Sequence, residues 1–223
     1  MTRIDHSQNL IHFTKDYADY GGIDYEKSYV KFKEIIKSRI LKGGTNMVLG
    51  SHKCICFTEA PANCLSFKQR LNSKYFSRYA PFGFQFSKKI IFENEGRPVI
   101  YSKKEEYEKE KNNTNINWRF VTYDFDKKID FTWEREWRLK TDIFNFNENE
   151  VRLVFPNKSW INRFIEDHEK EYHDPDCEEC YCKRNAQIFT YDEYTNQESC
   201  ETLSGDCFNE NDFPWILISL EVD

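Results

Sequence analysis

The chain reads as an α+β protein with a mixed, largely antiparallel central sheet and flanking helices, and three observations predict this. Strand-like runs outnumber helical ones, about eight or nine against three or four, and cluster in the middle of the chain. Hydrophobic residues make up 39% of the 223 residues and aromatic residues 17%, so a substantial core can form although the mean hydropathy is polar. There is no internal repeat and no low-complexity tract. The expected organisation is a single domain, 1–223, with a cysteine-rich insertion loop at about 172–212.

The elements follow in order. Leu10 to Thr14 (L-I-H-F-T) is a short apolar run interrupted by His12, read as a buried strand. In Tyr25 to Leu41, Tyr29, Phe32, Ile35, Ile36 and Ile40 recur at helical spacing, and Gly43 and Gly44 are expected to end that helix. A strand at Lys53–Phe57 leads through T-E-A-P into a helix from about Ala62 to Leu71. Phe82 to Phe86 alternates as F-G-F-Q-F and predicts a strand, with Gly83 allowing a close approach or a bulge. Arg97 to Tyr101 is another strand, and Lys103 to Lys111 a solvated mixed-charge helix.

Trp118 to Tyr123 alternates and is expected to form a hairpin with the next strand. Val151–Phe155 is a strand, followed by a helix from Asn157 to about Glu169. Ala186–Tyr191 and Trp215–Val222 are the last strand candidates.

The most informative stretch is Ile129 to Leu139, I-D-F-T-W-E-R-E-W-R-L. Its odd positions are apolar apart from Arg135 and its even positions polar, a period of two that predicts one continuous strand. On such a strand Glu134 and Glu136 share a face about 7 Å apart, twice the rise per residue, with Thr132 and Arg138 flanking them. Two carboxylates on a strand anchored by two tryptophans suit chemistry; a solvated charged face is the plain alternative.

The formal charge of −6 argues against a general polyanion binder, although a local basic cleft remains compatible with it. No apolar run approaches the ~20 residues that span a bilayer, and M-T-R-I-D-H-S-Q lacks a signal core, so a cytoplasmic protein is expected. Its eight cysteines are then mostly reduced thiols. Cys54 and Cys56, alternating in K-C-I-C-F, read as core. His173, Cys177, Cys180 and Cys182 have a spacing that can close a zinc site, but a single C-x-x-C among acidic neighbours favours a plain exposed loop, so no metal is expected.

The segments L-I-H-F-T, K-C-I-C-F-T-E-A-P, R-Y-A-P-F-G-F-Q-F-S-K, G-R-P-V-I-Y, W-R-F-V-T-Y and I-D-F-T-W-E-R-E-W-R together resemble the AbiGi-type family of abortive-infection, phage-resistance proteins over residues 10 to about 155. The layout, H-x-T on an opening strand, aromatics before a middle strand and E-x-E on a late strand, is similar to ADP-ribosyltransferases, including DarT-like toxins that modify nucleic acid. That resemblance implies NAD as co-substrate, with His12 and Thr14 holding the nicotinamide ribose, Tyr75, Tyr79 or Phe82 stacking on nicotinamide, and Glu136 or Glu134 steadying the oxocarbenium-like transition state. Glu136 is the expected stabiliser, since such motifs usually place it second. Arg78 or Arg138 would bind pyrophosphate by charge-assisted contacts.

Cleaving the bond to nicotinamide builds positive charge on the ribose, which a preorganised carboxylate stabilises best where water is excluded. The phosphate loop G-x-x-x-x-G-K-[ST] and the elbow G-x-S-x-G are absent.

Three functions therefore stand at this point. The first is an NAD-dependent ADP-ribosyltransferase or NAD glycohydrolase acting in phage defence or as a toxin, on a nucleic-acid or protein acceptor. The second is a non-catalytic antitoxin or binding partner with a cognate toxin, and the third a metal-dependent nuclease or zinc-stabilised nucleic-acid module. Geometry separates the first two. A transferase needs His12, Thr14 and Glu136 around one cleft, whereas a core histidine would lie on the face away from Glu134 and Glu136.

Overall fold

The computed structural model describes residues 7–19, 21–60, 82–172, 186–191, 198–203 and 215–220. The helix expected at 62–71, Tyr75, Arg78, Tyr79 and the zinc candidates His173, Cys177, Cys180 and Cys182 lie outside these residues. Along the chain the elements are β1 (Asn9–Thr14), β2 (Asp16–Tyr17), β3 (Ile23–Asp24), α1 (Tyr25–Ser38), β4 (Ile40–Lys42), β5 (Cys54–Thr58), β6 (Phe82–Ser87), α2 (Lys88–Glu93), β7 (Arg97–Pro98), β8 (Ile100–Ser102), α3 (Lys104–Glu110), β9 (Phe120–Thr122), β10 (Glu136–Lys140), β11 (Ile143–Asn145), β12 (Val151–Phe155), α4 (Lys158–Tyr172), β13 (Ala186–Tyr191), β14 (Glu198–Leu203) and β15 (Ile216–Ser219). The class is mixed α+β, and none of the described helices is long and apolar enough to cross a membrane.

The described residues fall into two compact units, and the division runs through β1, α1 and β6. The first unit holds 7–12, 33–60 and 86–147. Its strands run in the order β1-β5-β10-β7, and every neighbour is antiparallel. Within this unit the longest ladder joins β5 to β10 through five pairs, from Glu136 opposite Thr58 to Lys140 opposite Cys54. On one side of it Phe57, Phe86, Phe144 and Phe146 meet edge to face, a geometry that aligns ring edges with ring faces while removing apolar area from water.

The second unit carries β6, β12, β13, β14 and β15, in the order β14-β13-β15-β12-β6. β15 runs parallel to both β12 and β13, and β13 antiparallel to β14, so the sheet is mixed. β14 occupies residues for which the sequence predicts only a loop. Phe32 of α1 is fully buried against Phe82, Phe84, Phe155 and Phe164, which packs α1 and α4 over β6 and β12. Phe82, one of three candidates to stack on nicotinamide, is thereby a core residue, ringed by Tyr29, Phe32, Phe155 and Trp160.

Besides β14, the strand expected at Arg97 to Tyr101 divides into β7 and β8, which belong to different sheets, and three further expectations are changed. The helix expected to run to Leu41 stops at Ser38, where Arg39 turns left-handed (φ 53°), and Ile40–Lys42 pairs with β11 instead. Leu41 is buried in that pairing, so strand partners outweigh helical periodicity in the last turn. Gly43 serves a different purpose from ending the helix. A Cβ there would lie 2.0 Å from the Thr141 carbonyl oxygen.

The expected hairpin of 118–123 with 129–139 does not form either. Asn117–Arg119 is a 3-10 turn and β9 pairs in parallel with β8, while the 124–129 connection closes on itself at Asp124 and Ile129. The third difference lies in the stretch from Ile129 to Leu139, and it reshapes the site.

Candidate functional site

The expected continuous strand from Ile129 to Leu139 is broken. Thr132–Glu134 forms a 3-10 turn, Arg135 is left-handed (φ 46°), and only Glu136 to Lys140 is strand. Arg135 is the position where the apolar alternation lapses. The Thr58 hydroxyl donates to the Glu134 carbonyl at 2.6 Å and the Glu59 N–H to the Arg135 carbonyl at 3.3 Å, so the end of β5 fixes the turn. Glu134 and Glu136 are thus not alternate residues of one pleated face.

Pairing decides which side chains share a face, because directly opposed residues of neighbouring strands project the same way. Glu136 opposes Thr58 and Arg138 opposes Cys56, while Trp137 opposes Phe57 on the other face. Ile11 of β1 opposes Thr58, which puts Ile11 on the side of Glu136 and His12 on the side of Trp137. The contacts agree. The His12 ring meets Phe57 edge-on at 5.8 Å, and its Nδ1 lies 2.8 Å from the Cys56 carbonyl oxygen. A carbonyl only accepts, so Nδ1 carries the proton of this bond. His12 and Glu136 therefore project from opposite faces, contrary to the cleft that the transferase layout requires. Thr14 is buried.

Glu136 and Arg138 form a closed unit. Arg138 is 2% exposed, the largest side chain among the fully buried ones described. Its Nε donates to Glu136 Oε1 at 2.7 Å and its Nη2 to Oε2 at 3.5 Å. Nη1 reaches the carbonyls of Trp118 (2.9 Å) and Phe120 (3.2 Å), and Nη2 also reaches that of Met47 (3.2 Å). A guanidinium has five N–H groups, and these five acceptors use them all. Arg138 consequently has no edge left for pyrophosphate, the second correction to the expected site.

Around this pair sit Cys56 and Tyr101. The Glu136 N–H donates to the Tyr101 hydroxyl at 3.0 Å. Burial pushes the Tyr101 phenol well above its usual value, opposed by that amide and reinforced by the charges of Glu136 and Glu134. Tyr101 is therefore the group at which both carboxylates are felt. Burial, aided by the Glu136 charge, likewise raises the Cys56 thiol, and burial pushes Cys54 up to about 11. Both thiols stay protonated near neutral pH; Cys54 is the core residue that its alternation in K-C-I-C-F suggests, whereas Cys56 is only partly buried.

The face of Trp137 carries a second polar cluster that sequence reasoning passed over. Lys88 Nζ lies 2.7 Å from Glu59 Oε1, and Trp137 Nε1 donates to Glu59 Oε2 at 2.8 Å. The lysine and glutamate side chains are only 16% and 12% exposed, and the ammonium lies 5.7 Å above the Trp137 ring. The signal was a charged residue closing each of two apolar runs, Glu59 after C-I-C-F-T and Lys88 after F-G-F-Q-F-S.

Chemically, both ion pairs are compensated charges with structural contacts: Glu136–Arg138 ties β10 to the carbonyls of Met47, Trp118 and Phe120, and Glu59–Lys88 ties the end of β5 to the start of α2. Glu136 is compensated by Arg138 and is not an isolated carboxylate poised to stabilise a developing cation. Among the described residues no group of three or more His, Cys, Asp or Glu is placed to hold a metal ion. In comparisons with known proteins, no family model, no curated protein and no solved structure matches this chain.

Proposed function

We propose that this protein acts without catalysis, as the binding partner or antitoxin of a toxin in an abortive-infection system, a reading that rests on its resemblance to AbiGi-type proteins. The observation that carries the choice over NAD chemistry is the opposition of His12 and Glu136 across the sheet. The saturated guanidinium of Arg138 supports it, because the cation nearest the carboxylate is spent on Glu136 and three backbone carbonyls. Buried charge, costly in desolvation, is used here to order loops, a scaffold's task.

Two assays separate the readings. Co-expression with the toxin it binds should relieve that toxin's effect on growth, and Glu136→Gln should relieve it as well as wild type if the variant stays folded. Incubation of the pure chain with NAD should release no nicotinamide. Release of nicotinamide that Glu136→Gln abolishes would restore the transferase reading and sink this one.

A further inference from the structure

Arg119 is a half-buried arginine with most of its donors idle. Its Nε donates to the Pro98 carbonyl at 2.9 Å, which pins the side chain against edge strand β7. The four Nη hydrogens have no acceptor among the described residues, although the chain carries 38 acidic residues to draw on. A partly desolvated cation without a counter-charge is unfavourable, and another cation, Arg97, precedes the very residue whose carbonyl holds Arg119. Burial, and after it the charge of Arg97, holds the Arg119 guanidinium below its usual value.

Arg97, on the residue before Pro98, is held rigidly. Its Nη1 donates to the carbonyls of Phe92 (2.8 Å) and Gly96 (2.7 Å), and its guanidinium lies 4.1 Å from the centre of the Phe92 ring. The turn beneath it tolerates no change at Gly96, where a Cβ would come 2.4 Å from Ile91 Cγ2. One carboxylate, Glu95, reaches Arg97 Nη2 at 3.3 Å and is 86% exposed, so it neutralises one of two charges from the solvent side.

We propose that Arg119 and Arg97 form a receptor for a phosphate dianion, free or carried by a nucleotide, independent of the protein-binding reading. Arg119, fixed through Nε, presents its two Nη groups as a preorganised fork, and Arg97, whose Nη1 is spent on two carbonyls, adds a second fixed charge; a doubly charged, multi-oxygen phosphate matches this better than a carboxylate that balances one charge. The preference for the dianion makes affinity rise with pH through the second ionisation of the phosphate.

The test is calorimetric titration of the full chain with inorganic phosphate, AMP and acetate, followed by the Arg119 side-chain nitrogen signals in NMR. Phosphate and AMP should each bind at one equivalent and shift those signals. Arg119→Gln should weaken binding by roughly tenfold or more, the loss of charge-assisted bonds, with Arg119→Lys between the two; unchanged thermal melts show that both variants fold. Tighter AMP than phosphate identifies a nucleotide, and equal affinity a free phosphate. Acetate binding as tightly as phosphate, Arg119→Gln binding like wild type, or no binding by wild type would each overturn the proposal.

Discussion

Glu136 and Arg138 stand two residues apart on one strand and are joined Oε1 to Nε at 2.7 Å, the arginine buried and the glutamate mostly so. Adjacent same-face positions on a strand are well spaced for a short acid to meet a long base, and the pair closes on itself before either can reach a ligand. Its worth lies in what Arg138 gathers: the carbonyl of Met47, itself left-handed at φ 60°, and those of Trp118 and Phe120 on both sides of Arg119.

Replacing Arg138 by Met should therefore destabilise the protein by roughly 3–5 kcal/mol, since it strands a buried carboxylate and three carbonyls. The double variant Arg138→Met, Glu136→Leu should recover part of that loss, because no charge is then left unpaired. Urea unfolding of the two variants beside wild type checks this, and equal stability of the single and double variants would refute it.

Breaking the other pair should behave alike. Glu59→Gln leaves Lys88 without its charge partner in a site that is nearly closed, and a loss of about 3 kcal/mol is expected. Trp137→Phe keeps an aromatic ring but removes the pyrrole part of the indole and the 2.8 Å bond to Glu59, so it should cost at least about 1.5–3 kcal/mol, the range for a bond to a charged group, plus the lost packing. Thermal melts at low and high salt decide. Both effects should persist in salt, in contrast to the exposed pair Lys53–Asp142, where Lys53→Ala should change stability by less than about 1 kcal/mol.

Two neighbouring glycines should respond oppositely to the same change. Gly43→Ala drives a methyl to 2.0 Å from the Thr141 carbonyl oxygen, which backbone must move to relieve, and a loss of at least about 2 kcal/mol is expected. Gly44→Ala meets nothing within 4 Å and should be neutral to slightly stabilising. Matching denaturation midpoints for the two variants would contradict this account.

The buried thiols set an alkaline limit. Cys54 rises from an ordinary 9 to about 11 in the folded chain, so the folded state holds a proton that the unfolded state releases. Stability from this group is full below about pH 9 and falls as pH rises toward about 11, by roughly 2–3 kcal/mol in all. Cys56 and Tyr101 shift the same way and extend the loss to higher pH. Denaturation between pH 8 and 11 should show falling midpoints, and Cys54→Ala should flatten the slope in that window.

Much of the architecture was legible along the chain, because period and composition are local. Alternation marked β1, β5, β6 and β12, and helical spacing marked α1 and α4, since a one-sided apolar pattern needs no distant partner to be recognised. K-C-I-C-F also showed by itself that Cys54 is core, although its neighbour Cys56 is only partly buried.

What the sequence could not decide was register. The stretch from Ile129 to Leu139 has a period of two, yet its first half is held as a turn by the Thr58 hydroxyl and the Glu59 amide, groups more than seventy residues away. Arg135, the one lapse in the alternation, was the only local sign of the break. The face on which His12 lies depends on its neighbour Ile11 pairing with Thr58, and Thr58 with Glu136. Moving that register by one residue would turn every side chain over, so motif spacing alone placed His12 and Glu136 together while strand pairing set them apart. Charge partners are decided in the same way. Glu59 and Lys88 meet across 29 positions, and Arg138 closes on Glu136 and three carbonyls, because burial demands a partner and only the folded chain determines which one is within reach.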